Sequence, residues 1–501
     1  MVAVPSLLIM DSKTIGAVVS LLVVSVVTMA LMRATVPSSS HDALDAAPLD
    51  SHVSSSDEVE TRPEIDPFAI LEGAIGGDTY TTLSFATSAL SSLQGQVSEE
   101  DIAQAFELLG QMLGLPEVGP QELKRKVEDV GKLRFLRPVP IDFMARDELA
   151  RYIQQLFEDE YSVELAEREE TALRALGFLM PGQDLRSIRF RVLNENIAGF
   201  YDERPHVKKL FAISSGQKLN LMNQLVLSHE LRHAIQDQHL NLRQVFGARS
   251  DYDDRRLAAL SLIEGDATLL MEKYMASGGG QSGTGLEELL GGMSTEMMDG
   301  RSLAEMFAGP ELRSAPPVVR EQLIVPYLEG RKLAGEIHRR GGFKLLNDYL
   351  ERLPRSMEQV LHPEKYLDRV DEPIDVSLIE ASGKIPEFEG TVGESFLRVL
   401  FESTLPQEDG HRAAAGWGGD SYILWRNTDG RYGLLWRTVW DSDRDASEFF
   451  EALKRFSSIR FGRGPTPSSD STIVELEGTD GSRSVLSRHG LEVTLRRDGF
   501  Q

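Results

Sequence analysis

Three of the chain's ten histidines, His229, His233 and His239, fall inside eleven residues, with Glu230 directly after the first. His229, Glu230 and His233 form the pattern H-E-x-x-H. On an α-helix, residues four apart are separated by about 40° of rotation and about 6 Å of rise. Both imidazoles therefore share one face, and their nitrogens can meet a single cation. Glu230 stands about 100° round from His229, where it can reach a water on the metal without ligating the metal itself. These residue types at this spacing point to a zinc site with a carboxylate general base. The plainer alternative is a charged helix face with satisfied histidines.

A zinc site needs a third protein ligand. His239 lies six residues beyond His233, but the run "AIQDQ" has no glycine or proline to stop the helix, and position 236 is glutamine. On a continuing helix His239 sits about 240° round from His233, away from a shared ion, and reads as a capping or supporting group. Glu264, in "LSLIEGDATLLMEKY", is the better candidate. A glutamate among Leu262, Ile263, Leu269 and Leu270 is costly unless it is paired or meets a metal. Its alternative role is as partner to Arg255 or Arg256. The set His229, His233 and Glu264 would fill three tetrahedral positions and leave the fourth to water. Asp266 either hydrogen-bonds one of the ligating histidines or is solvated.

The elements that must position these groups are legible from periodicity. Apolar residues before the motif (Leu225, Val226, Leu227) suit a helix buried through a domain centre, and "RLAALSLIEGDATLLMEKYM" predicts a second helix. "VSEEDIAQAFELLGQML" and "RDELARYIQQLFEDEYSVELAEREETALRALGFL" predict helices upstream, the latter as one or two. "SIRFRVLNENIAGFYDERPHVKKLFAI" alternates around a polar break at "DERPHVK" and predicts two strands joined by a turn. Helices continue through "PPVVREQLIVPYLEGRKLAGEIHRRGG" to "SMEQVL". Beyond about residue 390 the pattern is mixed: strands on either side of "NTDG", a helix in "DRDASEFFEALKRF", and short strands around "TIVELEG" and "LEVTLRR". "GWGGD" predicts a tight turn with Trp417 in a core.

A formal charge of −25 argues against a nucleic-acid partner, which needs a basic face. With no cysteine, disulfides, thiol catalysis and Cys-ligated zinc are excluded. Thr14 to Met32 is a run of nineteen uncharged, mainly apolar residues, long enough to cross a membrane as a helix. It predicts an uncleaved anchor with the bulk of the protein extracytoplasmic. The rival is a cleaved signal peptide, which would make the protein secreted. Residues 34–63, rich in Ser, Asp, Pro and Ala, predict a disordered tether.

"HELRHAIQDQHLNL" followed by "LIEGDATLLM" resembles the gluzincin, or thermolysin-like, zinc metallopeptidases. More closely, it is similar to a group of bacterial and archaeal membrane-anchored or secreted members. Those carry comparable "GFYD", "EGDA", "EQVLHPEKY" and "GWGGD" elements, present here at Gly199–Asp202, Glu264–Ala267, Glu358–Tyr366 and Gly416–Asp420. The resemblance covers roughly residues 190 to 450. It departs at Arg232, where a smaller threonine is common; Arg232 is expected to face away from the metal.

The resemblance implies an α+β fold: a mostly helical zincin-like catalytic domain over residues 64–385 with a small mixed sheet, and a C-terminal α+β region over 386–501. It implies a polypeptide substrate and a zinc endopeptidase with Glu230 as general base. It also implies a histidine or tyrosine that stabilises the oxyanion, for which His362 and Tyr327 lead, with Tyr201 and Tyr366 behind. Val207–Ile213 becomes the edge strand that pairs with substrate. The alternative function is a non-catalytic zinc-binding scaffold or chaperone on the same fold.

Overall fold

The computed structural model describes residues 117–500 apart from 196–198, 214–217, 247–249, 279–309, 382, 467–471 and 479–480. The helix predicted at 97–113 and the tether at 34–63 lie outside the described residues. So does Thr14–Met32, and among the described residues no helix is long and apolar enough to cross a membrane. The expected membrane anchorage, with the extracytoplasmic placement that rested on it, is withdrawn.

The fold is α+β. Its first part runs α1 (Pro120–Gly131), β1 (Ile141–Met144), α2 (Arg146–Glu160), α3 (Val163–Leu176), α4 (Leu185–Glu195), β2 (Gly199–Asp202), β3 (Lys209–Ile213), α5 (Leu221–Leu240), α6 (Asp254–Gly278), α7 (Pro317–Leu350) and α8 (Met357–Leu361), short helical turns aside. The long helical stretch predicted upstream is two helices, α2 and α3. The break falls at Ser162, whose hydroxyl caps α3 by accepting from the Leu165 N–H. The alternating stretch from Ser187 is helical up to Glu195, and only its "GFYD" and "KLFAI" portions are strands.

Those strands form a three-stranded sheet in the order β1-β3-β2, with β1 parallel to β3 and β2 antiparallel to it. This corrects the expectation for Val207–Ile213. The strand within it, β3, is hydrogen-bonded on both sides and has no free edge, and the edge beside the motif helix is β2. Helix α5 starts on Asn220, whose side chain accepts from the Asn223 N–H, and ends at Asn241 with φ +56°. From Leu225 to Asp237 every residue of α5 is buried, so it passes through the centre of the domain.

The second part contains β4 (Pro386–Gly390), α9 (Gly393–Glu402), α10 (Gln407–Ala414), β5 (Trp417–Arg426), β6 (Tyr432–Trp440), α11 (Asp443–Arg460), β7 (Arg463–Thr466), β8 (Ile473–Glu477), β9 (Arg483–His489) and β10 (Glu492–Phe500). Its sheet is antiparallel in the order β4-β5-β6-β10-β9-β8-β7. "GWGGD" is mostly strand rather than turn: only Gly416 takes a positive φ, +75°, and the next four residues open β5. Gly419 lacks a side chain because a passing segment lies on it; an added Cβ would stand 2.3 Å from the Ile374 carbonyl oxygen. All four tryptophans are buried, as expected of a core. One apolar cluster runs from Val118 to Phe500 through both parts.

Candidate metal centre

Helix α5 delivers His229, Glu230 and His233 to one point, and α6 delivers Glu264 to the same point. The two Nε2 atoms are 2.8 Å apart. Glu264 Oε2 lies 3.3 Å from His229 Nε2, and Oε1 lies 3.4 Å from His233 Nε2. Tetrahedral donors at zinc–ligand lengths of about 2.0–2.1 Å are roughly 3.3 Å apart, so the three side chains fit an ion of that size. The donor chemistry agrees. Glu264 is fully buried, and neither of its oxygens receives a hydrogen bond of ordinary geometry. A carboxylate in that state is costly unless a cation meets it.

Burial and mutual charge pull the three groups in different directions. Burial, with help from His233, pulls His229 down to about 4. Against burial, Glu264 raises His233 to about 9, and the two rings outweigh burial to hold Glu264 at about 2. Glu230, beside the donors, accepts a hydrogen bond from the Tyr201 backbone N–H at 2.8 Å. That N–H points outward from the β2 edge, so the small sheet is docked directly onto the candidate base.

Tyr327 belongs to this site. Its ring lies over His229, with centroids 6.3 Å apart and planes at 25°, and its hydroxyl borders Glu264. Burial first, then the Glu264 and Glu230 charges, push its pKa well up, so it stays a protonated donor. The crossing of α6 and α7 seats it. A Cβ on Gly330 would stand 1.8 Å from the Ser261 carbonyl oxygen, and one on Gly265 would stand 2.0 Å from the Gly330 carbonyl oxygen. Bare backbone on both helices therefore allows their close approach, one turn from Tyr327 and one residue from Glu264.

The other candidates are held elsewhere. His239 is exposed, at the last turn of an unbroken helix, with Nε2 on the Arg134 carbonyl at 2.9 Å. His362 Nε2 lies 3.0 and 3.1 Å from the two Glu394 oxygens. The Tyr201 hydroxyl donates to Asp237 at 2.9 Å, and the Tyr366 hydroxyl donates to the Arg352 carbonyl. Arg256, one of the alternative partners for Glu264, pairs with Asp251 at 2.7 Å.

Arg232 directs its guanidinium to Asp266 (2.6 and 3.0 Å) and Asn347 (2.5 Å). Both members of the Arg232–Asp266 pair are fully buried. Asp266 is thus neither solvated nor bonded directly to a histidine. Sequence reasoning missed the parts played by the Tyr201 N–H, Gly265 and Gly330. For the glycines there was a signal, since glycine inside an apolar helix marks close backbone approach.

A second trio of acids, Glu358, Asp371 and Asp441, also draws its oxygens together. At its centre is the Lys365 ammonium, 2.7, 3.0 and 2.9 Å from the three carboxylates.

Among known proteins, residues 384–498 match the family described as "Domain of unknown function (DUF8575)", a stretch that contains none of the three donors. No curated protein matches. A solved structure described as that of a candidate hydrolase with a novel fold, from Chloroflexus aurantiacus, is 17% identical and covers 62% of this chain and 100% of its own, with a TM-score of 0.29.

Proposed function

We propose that the chain is a zinc-dependent endopeptidase of gluzincin type, with His229, His233 and Glu264 holding the ion. The observation that carries this reading is the convergence of the three buried donor atoms beside Glu230. When bound, zinc supplies Lewis acidity that lets water ionise near neutral pH. Glu230 then takes the water's proton on a carboxylate oxygen and delivers it to the leaving amine nitrogen. The Tyr327 O–H, held protonated by its surroundings, donates to the oxygen that gains negative charge on the scissile carbonyl.

A second reading is a non-catalytic zinc-binding scaffold. The observation favouring it is that His229, Glu230, His233 and Glu264 are at most 1% exposed. The two readings separate in one experiment on the full chain with casein as substrate. The peptidase reading expects the wild type to cleave casein, and Glu230→Gln to lose about 100- to 10,000-fold in rate while its zinc content stays at the wild-type value. Stoichiometric zinc in a wild type that cleaves no peptide bond supports the scaffold. A wild type that binds no zinc overturns both.

A further inference from the structure

His229 and His233 are not supported alike. Nδ1 of His229 has no hydrogen bond, whereas Nδ1 of His233 lies 2.8 Å from Gln236 Oε1. Gln236 is itself fully buried, one turn further along the helix. Its amide nitrogen donates to Asp266 Oδ2 at 2.7 Å and to the Ile263 carbonyl at 3.0 Å.

Those two partners decide which way the amide faces. A carboxylate and a peptide carbonyl can only accept, so the NH₂ end must point at them. The oxygen is then the atom left for His233, and it can only accept from Nδ1–H. Asp266 is pinned in turn by two hydrogen bonds from Arg232. The orientation of a buried ion pair is thereby passed through one side-chain amide to an imidazole. Its result is that Nε2 is the nitrogen of His233 that faces His229 and Glu264.

We propose that Gln236 is a positioning residue of the metal centre, fixing the ring orientation and Nδ1–H form of His233 on behalf of the Arg232–Asp266 pair. This rests on the metal-centre reading above. Groups of this kind behind a ligating histidine typically change metal affinity by about 10–100-fold when removed. A neutral amide transmits the orientation of Asp266 while keeping its negative charge one residue away from the imidazole. All three partners come from α5 and α6, so the device links the two helices that supply the ligands.

The test compares the full-length wild type with Gln236→Met, which keeps the side-chain length but has neither the acceptor oxygen for His233 nor the donor for Asp266. Zinc affinity is measured by competition with a chromophoric chelator. The expected result is a weakening of about 10–100-fold in Gln236→Met. A separate readout needs no metal: in ¹⁵N-histidine-labelled, zinc-free wild type, His233 should give a slowly exchanging Nδ1–H resonance coupled to Gln236, and Gln236→Met should lose it. Equal zinc affinity in wild type and Gln236→Met overturns the proposal. If Gln236→Met does not fold, absence of the slow Nδ1–H resonance in the wild type overturns it. If the wild type binds no zinc, the metal-centre reading falls, and the resonance alone decides whether Gln236 orients His233.

Discussion

Two trios of ligand-type side chains sit in this molecule, and they differ in where their cation comes from. Around Lys365, three carboxylates share one ammonium that the chain itself provides. Around Glu264, a buried carboxylate meets two imidazoles, and among the described residues no lysine or arginine is paired with it. Acidic residues drawn together are therefore poor evidence of a metal site on their own. What separates the two trios is whether a lysine already sits among the oxygens.

The largest expected effect is on zinc itself. Glu264→Ala should weaken binding by on the order of a hundred- to a thousandfold, whereas Asp371→Asn should leave both affinity and stoichiometry at wild-type values. Equilibrium dialysis with metal analysis reads both. Two zinc ions per wild-type chain, with one lost in Asp371→Asn, would erase the contrast between the trios.

Next in size is stability. Lys365→Met leaves Glu358 buried without its partner, which should cost about 2–3 kcal/mol after allowing for the partly exposed lysine. Urea unfolding should show the midpoint fall while zinc stoichiometry is kept. Unchanged stability would mean that the ammonium is not what holds those carboxylates.

The smallest effect sharpens the role of His362, next to the Lys365 trio. Its hydrogen bond to Glu394 raises its pKa against the opposing effect of burial. A histidine raised in the folded state contributes stability that is complete below its unfolded pKa of about 6.5, and this is lost as pH rises through the folded value. With a partly exposed ring the contribution should be under about 1 kcal/mol. The wild type should lose that much between pH 6 and pH 8.5 relative to His362→Gln. An identical pH slope in the two proteins would mean that the pair contributes no such stability.

Legibility in the sequence follows the range of the forces involved. His229, Glu230 and His233 were readable because helix geometry alone puts them together. Glu264 was readable because a carboxylate in an apolar helix needs a reason to be there. The same local logic gave α5, α6 and the buried tryptophans. It failed where the outcome depends on which distant segment arrives. Alternation alone could not tell helix α4 from a strand, nor could β3 announce that β1 would pair with its other side and make β2 the edge. His362 stood as an oxyanion candidate because Glu394, thirty-two residues on, cannot be seen from "EQVLHPEKY". Gln236 was noticed only as the absence of a helix-ending glycine; its partner Asp266 belongs to another helix.

Gly265 and Gly330 have a consequence for how this chain can vary. Backbone of the facing helix lies against each, Gly330 against Gly265 and Ser261 against Gly330, so neither position can gain even a methyl group unless the helices separate. Enlarging both makes matters worse rather than compensating. The two positions, sixty-five residues apart, therefore behave as a single indivisible locus. A descendant that kept His229, Glu230, His233, Glu264 and Tyr327 but lost either glycine would keep every side chain of the candidate centre and lose the close helix crossing that brings them together.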